Sequence, residues 1–456
     1  MGPNKNEVRM NVETIIEYLK GLRNISEWTL ETSHEEALEA FFSGRRLDMA
    51  RSKAITRNSL TVHVDSRSKE GAQRGSAIVS LPPNVELDEL ADRVNAAIRR
   101  AQVSPGPAWG LASERGIPQQ KSNLQSIDLA VVARTAEGVV FSNPSPGPSE
   151  GPHFQAVELF VTRRNQHLVA STGSETSWTD ILVETELVAS AGRGASEVEL
   201  TDFWSIALSS QEDLETLSLE LGERARRLLH HVDLRSAAGP LVLNRTAAAE
   251  IPVLLSGEAV PEFFNPLFFR SQAAQIRSGA CDSEIGKPIL HGNLGGDPLT
   301  LGFDPFQKGC PASRPVDPDA FPLRRTVLVE KGTLRALEGP VRHAAALSVP
   351  PQGTCSSRWV LPGSMDLSYL STQTYLEALT FSDFYMDVIS GEFGGELRLA
   401  ILHQKGKQTP MTGGSISGSL SIEQEDLRFS STLSRRGNFV GPSAVLIRKP
   451  RITEAR

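Results

Sequence analysis

No stretch of this chain constrains its fold more than Pro252–Arg270, PVLLSGEAVPEFFNPLFFR. It reads as a buried strand running into an apolar helix, because a short continuous apolar run precedes a cluster of aromatic residues. Asn265-Pro266 reads as the helix start, with asparagine as N-cap and proline at the first helical position. Phe263, Phe264, Leu267, Phe268 and Phe269 supply an apolar face that has to pack into a core or a subunit interface.

Around this junction the pattern divides in two. Val12–Arg23 places Ile15, Ile16, Leu19 and Leu22 at helical spacing. From Glu27 to Leu81 short alternating runs (EWTLE, EALEAFF, LDMARS, LTVHVD, SAIVSL) are separated by Ser43-Gly44 and Lys69-Glu70-Gly71, the pattern of an antiparallel meander. Leu87–Ala101 is an amphipathic helix that packs on that sheet. Asn143–Pro152, NPSPGPSEGP, reads as an exposed loop. Ala156–Thr162, Gln166–Ser171 and Ser171–Ser190 are strand-rich. Gln211–His231 carries Leu214, Leu217, Leu221, Ala225 and Leu228 on one helical face and connects to the second half. Beyond Ile251, short strands with Gly/Pro turns dominate, as in Arg325–Leu337, Phe384–Leu402 and Ser443–Lys449. The expectation is an α+β protein: an N-terminal helix-plus-antiparallel-sheet region over 1–235 and a β-rich C-terminal domain over 236–456. A length of 456 residues exceeds one ordinary core, which fits this division.

Several function classes are disfavoured. With 47 Lys and Arg against 54 Asp and Glu the net charge is −7, so there is no global electrostatic reason to hold a phosphate backbone. No run approaches the roughly 18 apolar residues needed to span a bilayer. The start, MGPNKNEVRMNVETI, has no apolar segment of the secretory kind. Three cysteines, Cys281, Cys310 and Cys355, fit no disulfide framework, and a reducing cytoplasm is their natural home.

The familiar catalytic motifs are missing. Gly413-Gly414-Ser415-Ile416-Ser417-Gly418 lies between strands and reads as a β-turn rather than a nucleophile elbow. Gly295-Gly296 opens no helix, which removes the context of a dinucleotide loop. His230 and His231 are neighbours on a helix, about 100° apart, and cannot both face one ion. Cys310, His343, Cys355 and His403 are the set that tertiary folding would have to unite if the chain were a hydrolase with a relocated Cys/His site. Asp317 and Asp319, either side of Pro318, read as turn residues, with a cation as the alternative.

Several phrases, in order along the chain, resemble the TldD/PmbA family, whose members act as paired metallopeptidase subunits and are also called modulators of DNA gyrase. They are Ser171-Thr172-Gly173, the segment Asp317–Thr326 with the VLVEKGTL that follows, Ser390-Gly391-Glu392-Phe393, and Gly441–Ile447. The segment Gly353–Arg358 and the loop at Asp317 depart from the family pattern. The resemblance implies zinc in the TldD-type subunit, held by both histidines of H-E-x-x-x-H and by a C-terminal cysteine. The open position on such an ion is where an attacking water sits.

Aligned on PVLLSGEA, this chain has Asn265 and Arg270 at the histidine positions and Pro266 at the glutamate, and SRRGNFVGPSAVLI contains no cysteine. Arginine has no lone pair to give zinc. The resemblance therefore implies a TldE/PmbA-like, non-catalytic subunit. It would have no catalytic, cofactor or metal residues of its own, would pair with a zinc-bearing TldD-like partner in a hetero-oligomer, and would help enclose peptide substrate. A regulatory binding protein of the gyrase-modulator kind is the non-enzymatic alternative.

Overall fold

Three long strands take the place of the five short runs between Glu27 and Leu81: β1 (Glu27–Ser43), β2 (Arg46–Ser68) and β3 (Gly71–Leu81). The turns fall at the expected glycines, Gly44 (φ 60°) and Gly71 (φ 118°). The runs fuse because Thr32–Glu36 is half-exposed on both faces, so alternation fades there while the backbone ladder to β2 continues unbroken. The computed structural model describes residues 11–69, 71–112, 123–143, 151–192, 194–243, 251–290, 295–370, 372–404 and 406–455. The predicted loop at Asn143–Pro152 therefore lies mostly outside the described residues.

The N-terminal part continues through β4 (Gly106–Pro107), β5 (His153–Ala170), β6 (Glu175–Ala191) and β7 (Val198–Leu208). Here too two expected runs merge into one strand, β5, whose polar middle is held by Arg163–Glu36 and Arg164–Asp180 ion pairs. All seven strands join one antiparallel sheet in the order β4-β3-β2-β1-β5-β6-β7. Helices α1 (Val12–Gly21) and α2 (Leu87–Val103) bury Ile15, Leu19, Leu90, Val94 and Ile98 against Leu30, Leu60 and Val62. Helices α3 (Leu129–Phe141) and α4 (Asp213–Ser236) cover β5–β7 through Val132, Val140, Leu217, Leu221 and Leu228. The connector helix α4 runs five residues beyond its expected end, so His230 and His231 sit inside it rather than at its terminus.

The C-terminal part begins with β8 (Gly239–Pro240), β9 (Val253–Ser256), α5 (Ala259–Phe269) and α6 (Ala273–Ser278). It goes on through β10 (Leu301–Phe303), β11 (Thr326–Glu330), β12 (Thr333–Leu334), α7 (Val341–Leu347) and β13 (Arg358–Val360). Next come β14 (Tyr375–Met386), β15 (Glu392–Gln404), β16 (Lys407–Thr412) and β17 (Ser415–Ser419). The chain closes with β18 (Arg428–Phe429), β19 (Leu433–Arg436), β20 (Phe439–Pro442), β21 (Ala444–Ile447) and β22 (Arg451–Thr453). Among the described residues these strands form a sheet of six, β12-β11-β10-β13-β20-β19, and one of nine. The larger has the path β18-β21-β9-β14-β15-β16-β8, with β17 added off β15 and β22 off β17. The fold is α+β, with the aromatic helix between the two C-terminal sheets.

That helix corrects one expectation. It starts at Ala259, after Gly257 turns the chain at φ 70°, and not at Asn265-Pro266. Pro266 stands inside it and denies the Glu262 carbonyl its donor, a loss of about 3 kcal/mol in a helix interior. The helix survives because Val260, Phe263, Phe264 and Leu267 are buried to 0–1% exposure, worth roughly 1.5–3 kcal/mol each. Burial wins over the missing hydrogen bond. Phe264 packs against Phe429 and stacks on Phe439 at 5.8 Å, and Phe263 meets Phe393 at 6.1 Å. Phe269 is only half-buried. No helix among the described residues is long and apolar enough to cross a membrane.

Candidate functional site

A cavity of about 1230 Å³ opens where the N-terminal sheet and α4 meet the β9–α5 junction and β14. Each wall follows from a local rule. β14 is paired with β9 only from Leu376 to Ala378, so beyond that point this edge has no strand partner among the described residues. Its ladder to β15 is also interrupted between Ala378 and Phe384, leaving Leu379, Ser382 and Asp383 outside the register. Those breaks leave backbone N–H and C=O groups of β14 without a ladder partner along the cavity wall.

The second wall is the face of β5–β7 that α3 and α4 leave open, with Glu158, Phe160, Glu184, Glu186 and Phe203. Glu158 lies directly opposite Glu186 in the ladder. Burial and the Glu158 charge raise the Glu186 carboxyl above its ordinary value.

The third wall is an ionic cluster. Arg224 of α4 points Nη1 at both carboxylate oxygens of Asp202, at 2.7 and 2.9 Å, and at the Phe203 carbonyl at 3.1 Å. Its Nη2 reaches Glu258 Oε1 at 3.1 Å, and Arg436 Nη1 reaches the same oxygen at 2.9 Å. Desolvation by the surrounding wall pushes the Glu258 carboxyl up although its side chain is largely exposed, and Arg436 and Arg224 together pull it below the usual range. Arg435 closes the edge of β7 by donating to the Ser205 carbonyl at 2.7 Å and pairing with Glu220. His231, on the same helix face, is lowered to about 4 by burial and by neighbouring Arg227, so it is neutral near pH 7.

The residues singled out from sequence lie elsewhere. Helix α5 offers the cavity Ala259, Pro261 and Glu262, while Asn265 and Arg270 belong to its far end. Asn265 Nδ2 donates to Glu262 Oε2 at 2.7 Å, and Arg270 Nη1 to the Ile289 carbonyl at 3.3 Å. With Pro266 between them, these side chains do not fit a zinc ion.

The four scattered candidates do not converge. Cys310 Sγ accepts from Gln307 Nε2 at 2.9 Å and Cys355 Sγ faces the Ser357 carbonyl at 4.0 Å. Burial pushes the Cys355 thiol up to about 12 and raises Cys310 as well, so neither is a thiolate at neutral pH. His343 lies against Arg277 at 3.3 Å, whereas His403 is bonded to Glu377 at 2.8 Å and stacked on Tyr375. Among the described residues no group of three or more His, Cys, Asp or Glu is placed to hold a metal ion.

The turn reading of Asp317 matches its contacts: it accepts from the backbone N–H groups of Asp319 (2.9 Å), Phe321 (3.0 Å) and Thr354 (3.2 Å). Gly413 and Gly414, both at positive φ, form the turn into β17.

Sequence reasoning missed Arg224, Arg227, Glu258, Arg436 and the open edge of β14. One signal is present in the sequence: Arg224, Arg227 and His231, at i, i+3 and i+7, share a face of the connector helix.

Residues 248–454 match the family model described as PmbA/TldA metallopeptidase C-terminal domain. The C-terminal part thus carries a domain of the TldD/PmbA family, and the solved structures that follow share the fold over 97% of the chain. Among solved structures, TldE from Thermococcus kodakarensis is similar at 15% identity with TM-score 0.74, covering 97% of this chain and 100% of that one. A protein from Bacteroides thetaiotaomicron described as a candidate modulator of DNA gyrase gives 15%, 0.74, 97% and 98%. One from Thermotoga maritima, described as a candidate modulator of a DNA gyrase, gives 13%, 0.72, 97% and 98%. At these identities the likeness establishes the fold. No curated protein matches the chain by sequence.

Proposed function

We propose that this chain is a non-catalytic, TldE-like subunit of a TldD/TldE-type zinc metallopeptidase, working in the cytoplasm. It pairs with a TldD-like chain that carries the zinc, and its own task is to enclose and hold the peptide to be cleaved or matured. The observation that carries this reading is the chemistry of the metal-helix positions. Asn265, Pro266 and Arg270 offer neither imidazole nor carboxylate, and Asn265 and Arg270 each donate a side-chain N–H within the chain. The cavity supports the holding role. Its volume exceeds the roughly 300–1,000 Å³ of ordinary small-molecule pockets, and the open edge of β14 offers an extended peptide a strand to pair with. An autonomous Cys/His hydrolase finds no support, because both thiols are buried and protonated and neither histidine is bonded to them.

The test is co-expression with a TldD-like chain bearing H-E-x-x-x-H. The pair should co-elute, contain about one zinc per heterodimer, and cleave an unfolded peptide that neither chain cleaves alone. One zinc per chain in the lone protein, or cleavage by it, overturns the reading.

A further inference from the structure

We propose that the cavity contains a carboxylate subsite, built on Arg227 with Arg224 and Arg436 beside it, that takes the free C-terminal carboxylate of a bound peptide. This rests on the peptide-holding reading above and names which end of the peptide the chain recognises.

The charges are unevenly spent. Three guanidiniums line this wall, Arg224, Arg227 and Arg436, against two carboxylates among them, Asp202 and Glu258. Arg224 takes both oxygens of Asp202 and one of Glu258, and Arg436 shares that Glu258 oxygen. Arg227 makes no hydrogen bond or ion pair with any described residue, yet it lines the cavity on the face of α4 that carries Arg224. Glu223, one turn earlier, and the other cavity carboxylates, Glu158, Glu184, Glu186, Glu262, Glu377 and Asp383, form no ion pair with it, and Glu377 is taken by His403. His231, the remaining basic group on this face, is neutral and does not compete for an anion. The wall thus keeps one guanidinium without a direct partner, its charge offset only at longer range by Asp202, Glu258 and Glu223.

Two further features point the same way. The Arg436 side chain is only 11% exposed, and its Nε has no partner. A polar N–H kept from water without an acceptor is costly, so this guanidinium is short of acceptors even with Glu258 beside it. Helix α5, eleven residues long, begins at this wall without a side-chain N-cap, and Gly257, Glu258 and Ala259 line the cavity. Its first-turn amides and its dipole favour negative charge there, adding to the arginines. A planar guanidinium matches a carboxylate in a two-point grip, and a single guanidinium without a direct partner, in a cavity rich in carboxylates, suits a monovalent carboxylate better than a phosphate dianion. A peptide paired along β14 would thereby be fixed in direction, with its C-terminus toward α4 and α5.

Calorimetric titration of the full chain with a neutral, N-acetylated hexapeptide, as free acid and as C-terminal amide, tests this. The free acid should bind at least tenfold more tightly. Arg227→Gln should abolish the difference and Arg227→Lys should keep part of it, with circular dichroism and thermal midpoint unchanged in both variants. Equal affinity for acid and amide on the native chain overturns the carboxylate subsite and leaves peptide holding intact. Discrimination that persists in Arg227→Gln overturns the assignment to Arg227. Binding of neither peptide overturns the subsite together with the peptide-holding reading beneath it.

Discussion

Arg224 of α4 and Glu258, the residue before α5, meet at 3.1 Å across the wall of the cavity. Through Asp202 on β7 and Arg436 on β19 the same contact reaches two more elements. The seven-stranded sheet, the connector helix and both C-terminal sheets are thus tied by four residues, separated by up to 234 positions in sequence. The burial of each pair sets its worth. Arg224 and Asp202 are 6% and 19% exposed, whereas the Glu258 side chain is 64% exposed and its pairs are screened by water.

Arg224→Ala should therefore cost about 3–5 kcal/mol, because it leaves Asp202 buried without its cation. Arg227→Ala, three residues on, should change stability by less than about 0.5 kcal/mol, since Arg227 makes no hydrogen bond or ion pair with a described residue. Urea unfolding of the two variants side by side checks the contrast. Equal losses would mean that the Arg224 network adds nothing to stability.

Phe264→Ala should cost about 3–5 kcal/mol, the range for emptying an aromatic site that cannot collapse. Its ring is fully buried among Phe263, Phe429 and Phe439, which come from three different segments. A calorimetric midpoint within a degree of the native protein would contradict this packing.

What the sequence made legible, and what it hid, follows from the range of each cause. Turns at Gly44 and Gly71 and the helix over Leu87–Ala101 could be read because glycine conformation and apolar spacing are local. The start of α5 could not. Asn265-Pro266 is a good local helix start, but the tertiary burial of Val260 and Phe263 draws the preceding turn into the helix and overrides it. The unbroken β1 was hidden at Thr32–Glu36 because hydrophobic alternation reports strands only where one face is covered. On α5, that Asn265 and Arg270 carry no imidazole follows from residue type alone. The cavity was not legible, because its walls bring together residues between 158 and 444.

Stability should depend on pH with opposing contributions. His231 and His63 are both lowered from 6.5 to about 4, chiefly by burial. Each favours the neutral form in the fold, so its contribution is present above pH 6.5 and is lost as pH falls toward 4. Asp317 behaves the other way: burial and then the neighbouring Asp319 push it from 3.8 up to about 7, against three backbone donors. Its contribution is complete below 3.8 and is lost as pH rises through 7. Asp317→Asn should accordingly remove a fall in stability between about pH 4 and 7, of at most ~1.4 kcal/mol per pH unit. His63→Gln should remove a fall in the acid direction over pH 6.5 to 4. Unfolding free energies measured at half-unit intervals check both, and a variant curve parallel to the native one would rule out that residue as the cause.

Gly75→Ala tests how closely α2 lies on its sheet. A Cβ added at Gly75 on β3 would stand 1.7 Å from the carbonyl oxygen of Ala101 and 2.6 Å from its carbonyl carbon. Both are backbone atoms of α2, so no side-chain rotation relieves the clash. Either the helix lifts away from Leu60 and Val62 or β3 breaks its ladder to β2 at Val64. Overpacking of this kind costs about 1–3 kcal/mol where a side chain can yield, and more where backbone must move. The expected outcome is a loss above about 3 kcal/mol, with amide exchange accelerated in both α2 and β3. A variant that unfolds at the native urea midpoint would show that α2 does not pack on the sheet at this distance.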